Sequence, residues 1–91
     1  MQKHTKIYLD FFGYGPEDYI PCEVKGCTLR VVDVHHIDNR GMGGSELLDF
    51  IENLIGLCRK HHDYAEDDPV FNEKVKQWHL ERVEFVRCFL N

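Results

Sequence analysis

The sequence predicts a small α+β domain closed by a bound metal ion, and three observations carry that prediction. Ninety-one residues form one domain that buries only about 60–65% of its unfolded surface, so a staple is expected. Two short apolar runs, residues 29–37 and 53–57, flank a glycine-rich stretch and are followed by helical patterns. Four metal-binding side chains, Cys22, Cys27, Cys58 and His61, fall in two short-spaced pairs that bracket both runs.

Residues 3–12 carry Ile7, Tyr8, Leu9, Phe11 and Phe12, an apolar-aromatic stretch too mixed in period to assign to helix or strand. Gly13-Tyr14-Gly15-Pro16 stops it, and Pro21 keeps the approach to Cys22 extended. Between Cys22 and Cys27, Lys25-Gly26 supplies a tight reversal. Val31, Val32 and Val34 make residues 29–37 a strand. Residues 38–45 are a loop by composition, and Ser45 ahead of Glu46-Leu47-Leu48 is placed to cap one helical turn.

Residues 53–57 read as a second strand returning beside the first, and residues 58–67 as a helix. Asp68-Pro69 then resets the chain, with Asp68 as N-cap and Pro69 in the first position of a last helix over 69–90. Phe71, Val75, His79, Val83, Val86 and Leu90 recur there at steps of three or four, with Trp78, Phe85 and Phe89 widening the stripe. His79 and Cys88 lie on or near that apolar face and are expected to be core residues.

No apolar run approaches the ~20 residues of a membrane span and no signal-like segment is evident, so a reduced, cytoplasmic protein is expected. In that compartment cysteine points to metal before disulfide. Cys22/Cys27 and Cys58/His61 are two pairs suited to one tetrahedral zinc ion. His61 and His62 are adjacent on a helix, so their side chains diverge by about 100° and do not face the same ion. His62 is instead expected to look toward the strand carrying His35 and His36, a compact place for a divalent metal and a water. The net charge of −5 runs against unaided tight binding to phosphate, which usually leaves a basic footprint.

Taken together, the knuckle cysteines, Val34-His35-His36-Ile37 after a valine-rich strand, the Gly43-Gly44 loop, Asn53 and the closing Cys58-Arg59-Lys60-His61-His62 resemble the HNH endonucleases, the ββα-metal nucleases. The resemblance covers residues 22–62. It implies a ββα-metal core over 22–67 within a single nuclease domain, with residues 69–90 packing on it. It implies that His36 is the general base, that His35 and His62 hold a catalytic divalent cation (Mg2+, Mn2+, Ni2+ or Zn2+), and that Asn53 ties the loop and keeps the base oriented. The products would be 5′-phosphate and 3′-hydroxyl ends.

Many family members carry Asp where His35 stands and a fourth cysteine where His61 stands; both replacements keep a ligand. Regular strand geometry sends His35 and His36 to opposite faces, so both serve one site only if the strand twists or ends there. Asp33 and Glu66 are the nearest further ligands or partners, Glu66 lying four residues after His62. Arg40, from the glycine-rich loop, and Arg59, from the helix start, are candidates to contact phosphate, with a solvated surface role the equal alternative for each.

The implied substrate is double-stranded DNA, cut with little sequence preference by a monomer or weak dimer that a partner protein or complex directs. Small nucleases of this kind are often carried by phages and mobile elements. The competing reading is a non-catalytic zinc-knuckle module binding nucleic acid or protein, which uses Cys22, Cys27, Cys58 and His61 but leaves His35, His36, Asn53 and His62 unexplained.

Overall fold

The structure is a computed structural model that describes residues 2–38 and 48–89. Among these residues it is an α+β fold: α1 (Lys3–Phe12), β1 (Asp33–His36), a 3-10 turn (Ile51–Asn53), β2 (Leu54–Leu57), α2 (Arg59–Asp67) and α3 (Pro69–Phe89). The two strands are antiparallel, with Asp33 opposite Leu57, Val34 opposite Gly56, His35 opposite Ile55 and His36 opposite Leu54. No described helix is long and apolar enough to cross a membrane. Arg40, the Gly43-Gly44 loop, the turn expected after Ser45, and Leu90 lie outside the described residues.

The ambiguous N-terminal stretch is a helix. Tyr8 and Leu9 are buried while Lys6 and Asp10 pair across one turn at 3.0 Å, and Gly13, at φ 75°, closes the helix in the left-handed conformation. Its apolar residues occupy consecutive positions because α1 touches the core with a broad aromatic face: Tyr8 packs on Phe12, and Phe12 on Phe11. The first strand is shorter than its valine run. Arg30 makes only an isolated bridge to Pro21, and Leu29 and Val32 are exposed, because β2 offers only four residues to pair with.

Every residue of β2 is buried. Ile55 and Leu57 face one cluster with Cys22, Cys58, Ala65 and Val75, and Leu54 faces another with Tyr8, Leu9, Val34, Ile51 and Val83. Helix α3 serves both clusters, Val75 in the first and Val83 in the second. The Asp68 carboxylate accepts from the backbone N–H groups of Val70 and Phe71, the expected cap.

Beyond that stripe the expectation needs correcting. Phe85 and Phe89 are 56% and 72% exposed and pack on each other, and Cys88 is exposed with its thiol directed at Glu84. A helix of 21 residues is about 31 Å long, against about 13 Å for a four-residue strand. The helix nevertheless keeps its core face to the last turns, where Val83 and Val86 are buried; Phe85, next to Val86, points about 100° off that face, and Phe89 packs on Phe85 one turn on.

Glu23 ties these layers together, a role the sequence did not announce. Its side chain is 2% exposed. It accepts from the Tyr8 hydroxyl on α1, the Gly56 N–H on β2 at 3.0 Å and His79 Nδ1 on α3 at 2.9 Å, with Arg82 at 3.4 Å. Its own N–H donates to the Gly56 carbonyl at 3.0 Å. Burial pushes its carboxyl up, but the His79 bond and charge, the Tyr8 bond and the Arg82 charge outweigh burial and hold it below the usual range. Gly56 is needed for this approach, since a Cβ there would lie 2.8 Å from the Tyr8 hydroxyl oxygen.

Removing one member of a buried charged network leaves its partners unpaired, which costs about 3–5 kcal/mol. Glu23→Ala is expected to lower the unfolding free energy by that amount in a urea titration of the metal-loaded chain. A change below about 1 kcal/mol, the ordinary effect of a surface substitution, would show that the network is not coupled to folding.

Candidate metal centres

Two donor sets flank the strand pair, and the chain brings each together from distant segments. The first unites Cys22 and Cys27 with Cys58 and His61, whose ligand atoms all lie within 4.8 Å of one another. The turn between the first two is closed by a Cys27 N–H to Val24 carbonyl bond of 3.0 Å, with Gly26 at φ 83°. Cys58 stands immediately before α2, and His61 follows one turn later. His61 is stacked on Phe71 of α3 at 5.9 Å between ring centroids.

The separations within this set are those of ligands around one ion. Cys27 Sγ lies 4.0 Å from Cys58 Sγ, and His61 Nδ1 lies 3.2 Å from Cys58 Sγ and 3.5 Å from Cys22 Sγ. A tetrahedral ion with the usual zinc–sulfur and zinc–nitrogen bonds places its ligands about 3.8 Å apart for two sulfurs and about 3.6 Å for sulfur and nitrogen. A disulfide needs sulfurs about 2.05 Å apart, and all four cysteines are free. Burial pushes the Cys22 thiol up to about 11. Burial acts on Cys58 in the same direction, but the His61 backbone and the Cys22 and Cys27 side chains bring it below its ordinary value. The four residues therefore fit a thiolate-binding metal ion whose uptake expels protons.

The second set is His35, His62 and Glu66. Glu66 Oε1 is 3.8 Å from His35 Nδ1 and 3.5 Å from His62 Nε2, and Asp33 Oδ2 is 3.9 Å from the same His62 nitrogen. These gaps are too long for hydrogen bonds. They are close to the separations of about 3.0–3.4 Å expected between nitrogen and oxygen ligands around one divalent cation. His62 Nδ1 is buried and makes no hydrogen bond.

His35 is presented in a defined tautomer. Asn72 donates from Nδ2 to the Ile37 carbonyl at 2.8 Å, which turns its Oδ1 toward His35 Nε2 at 3.3 Å. The imidazole must then donate from Nε2, leaving the Nδ1 lone pair aimed at Glu66. Burial holds the His35 imidazole below its ordinary value; the Asn72 bond opposes this, the His62 charge reinforces it, and Glu66 opposes it. The neutral, ligating form is favoured. Loss of such an orienting partner typically costs 10–100-fold in metal affinity. If this set holds a cation, Asn72→Ala is therefore expected to weaken Mn2+ binding by roughly that factor in calorimetry on the folded chain; equal affinity would mean that Asn72 merely fills space.

His36 turns away from this set but borders the same cavity. His35, His36, His62, Glu66 and Asp33 all line a pocket of about 220 Å³, so the end of β1 does bring adjacent histidines to one opening. His36 Nε2 lies 2.7 Å from Asp49 Oδ1, whose side chain is only 5% exposed. A carboxylate accepts, so Nε2 donates and the Nδ1 lone pair is left available. Asn53 joins the two sides of the loop: its Oδ1 accepts from the Asp38 N–H at 2.7 Å, and its Nδ2 donates to the carbonyls of Asp38 at 3.1 Å and Leu48 at 3.0 Å. The direct partner of His36 is thus Asp49, with Asn53 acting on the loop ends. Arg59 is exposed at the start of α2.

Asp49, Asn72 and Glu23 were not singled out from sequence. Asn72 carried a signal, since a polar residue three before Val75 and seven before His79 interrupts the buried stripe of α3. Asp49 and Glu23 carried none. No family model, curated protein or solved structure matches the chain.

Proposed function

We propose that the chain is a divalent-metal-dependent endonuclease of the HNH, ββα-metal type that hydrolyses phosphodiester bonds in double-stranded DNA. In this reading Cys22, Cys27, Cys58 and His61 hold a structural zinc ion, and His35 and His62, with Glu66, hold a catalytic cation. The observation that carries it is that His36, fixed through Nε2 by Asp49, borders the same pocket as His35, His62 and Glu66. A binding module has no use for an oriented imidazole beside a second donor set.

His36 Nδ1 takes the proton from a water that attacks phosphorus, the bond to the 3′ oxygen breaks, and the leaving oxygen takes a proton from solvent. Asp49 keeps the imidazole in the accepting tautomer and stabilises the imidazolium it becomes. A divalent cation bound at His35, His62 and Glu66 would supply charge neutralisation at the phosphate and at the departing oxygen. Arg59, exposed at the start of α2, is the candidate phosphate contact among the described residues. With a net charge of −5, affinity for DNA depends on low salt or on a partner that delivers the substrate.

The test is cleavage of supercoiled plasmid at low salt by the zinc-loaded chain with Mg2+, Mn2+ or Ni2+, and with EDTA as control. Metal-dependent nicking or linearisation at many positions is expected. Cutting at one site would overturn the low sequence preference. A folded, zinc-loaded chain that cleaves with none of the metals would favour the non-catalytic zinc-knuckle module.

A further inference from the structure

We propose a third metal site, selective for transition metals and formed by His4, His36 and Asp49, whose occupation takes His36 out of service as a base. One ligand atom from each of the three residues lies within 4.8 Å of the others. They come from three parts of the chain: the first turn of α1, the end of β1 and the segment before the 3-10 turn. The His4 and His36 rings sit 4.6 Å apart at 51°. His4 lines the pocket that also holds His35 and His62, so an ion can reach the site from the opening already described.

The donor chemistry selects the ion. Two imidazoles and one carboxylate suit Zn2+, Ni2+, Co2+ or Cu2+, whereas Mg2+ prefers an all-oxygen shell with several waters. The Asp49 side chain is 5% exposed and its carboxylate meets the His36 Nε2 proton at 2.7 Å. A cation replacing that proton meets the same negative charge, with His4 as the additional ligand. None of these three residues belongs to the His35, His62 and Glu66 set, so the two sites do not compete for ligands.

The consequence follows from the ring. A neutral imidazole has one nitrogen protonated and one with a lone pair. With metal on Nε2 the proton moves to Nδ1, the nitrogen that must accept from water. Excess transition metal would therefore silence the enzyme without touching the catalytic cation. This consequence rests on the nuclease reading; the metal site itself does not.

Two measurements separate them. The first is Ni2+ calorimetry on zinc-loaded chain carrying His35→Ala and His62→Ala, or His62→Ala alone where the double variant loses its fold. One further Ni2+ per chain is expected, weakened at least about tenfold, the usual minimum for losing one ligating partner, by adding His4→Phe, which keeps a ring against His36 but offers no nitrogen. No Ni2+ beyond the structural metal, or affinity indifferent to His4→Phe, overturns the site. The second is Mg2+-driven plasmid cleavage with increasing Zn2+. Inhibition in wild type that shifts to higher Zn2+ in the His4→Phe chain supports the silencing, and identical inhibition in both overturns it. Absence of cleavage in every sample counts against the nuclease reading and the silencing together, while calorimetry still decides the site.

Discussion

Replacing His36 with alanine is expected to lower plasmid cleavage by about 10²–10⁴-fold, the range that a positioned general base contributes, with the fold and the structural metal retained. The side chain is 18% exposed at the end of a strand, so its truncation leaves no large cavity, and the cost in stability should be about 1 kcal/mol, the centre of the range for single substitutions. The second donor set does not include His36, so Mn2+ affinity should be unchanged. His62→Ala should behave differently, with weakened Mn2+ binding and activity partly rescued by raised metal concentration. Asp49→Asn should fall between wild type and His36→Ala, because an amide can still accept from Nε2 but does not stabilise the imidazolium. Cleavage by His36→Ala within about threefold of wild type would remove His36 from the reaction, since general-base removal is worth at least tenfold more than that. The donor set would then stand without its base.

Such a variant series is specific because the sequence carried the ligand pairs plainly and their supports hardly at all. Cysteines three and five residues from the next ligand, and histidines placed after a β-branched run, are local patterns, and the structure brings Cys22, Cys27, Cys58 and His61 together as those spacings imply. The cap at Asp68 was equally local. Partners that arrive from another element leave no such trace. Asp49 reaches His36 across the loop, Asn72 reaches His35 from α3, and Glu23 collects bonds from α1, β2 and α3. Each is an ordinary polar residue in its own neighbourhood.

Helix α1 was illegible for another reason. A broad aromatic face puts apolar residues at successive positions, which blurs the 3.6-residue period on which helix recognition depends. At the other end of the chain, α3 carries apolar residues beyond the edge of its buried face: Val83 and Val86 are buried, while Phe85 and Phe89, which looked like core, are exposed. Periodicity reports which face a helix would bury; the neighbours packed on it decide how wide that face is.

Removing the structural metal is expected to unfold the chain. Cys22 and Cys58 are 5% and 2% exposed and share a cluster with Ile55, Leu57, Ala65 and Val75, so half of the apolar core is assembled around the ligands. A domain of 91 residues has a total stability of roughly 5–14 kcal/mol. Binding of zinc by a folded site of this kind contributes about 10–16 kcal/mol near neutral pH. The two ranges overlap, with the second the higher over most of its span, so the metal-free chain has little or no margin. Without the ion, burial keeps the Cys22 thiol protonated, at about 11, and no common centre binds the four side chains to one another. A strong chelator, or Cys58→Ala, should therefore abolish the cooperative thermal transition in circular dichroism and collapse the amide spectrum, with recovery on adding zinc to the chelated wild type but not to the variant. His62→Ala, which leaves the four-ligand set intact, should keep both signals. A metal-free chain melting within a few degrees of the loaded one would mean that Glu23 and its partners hold the layers unaided, and that the cysteine cluster serves something other than the fold.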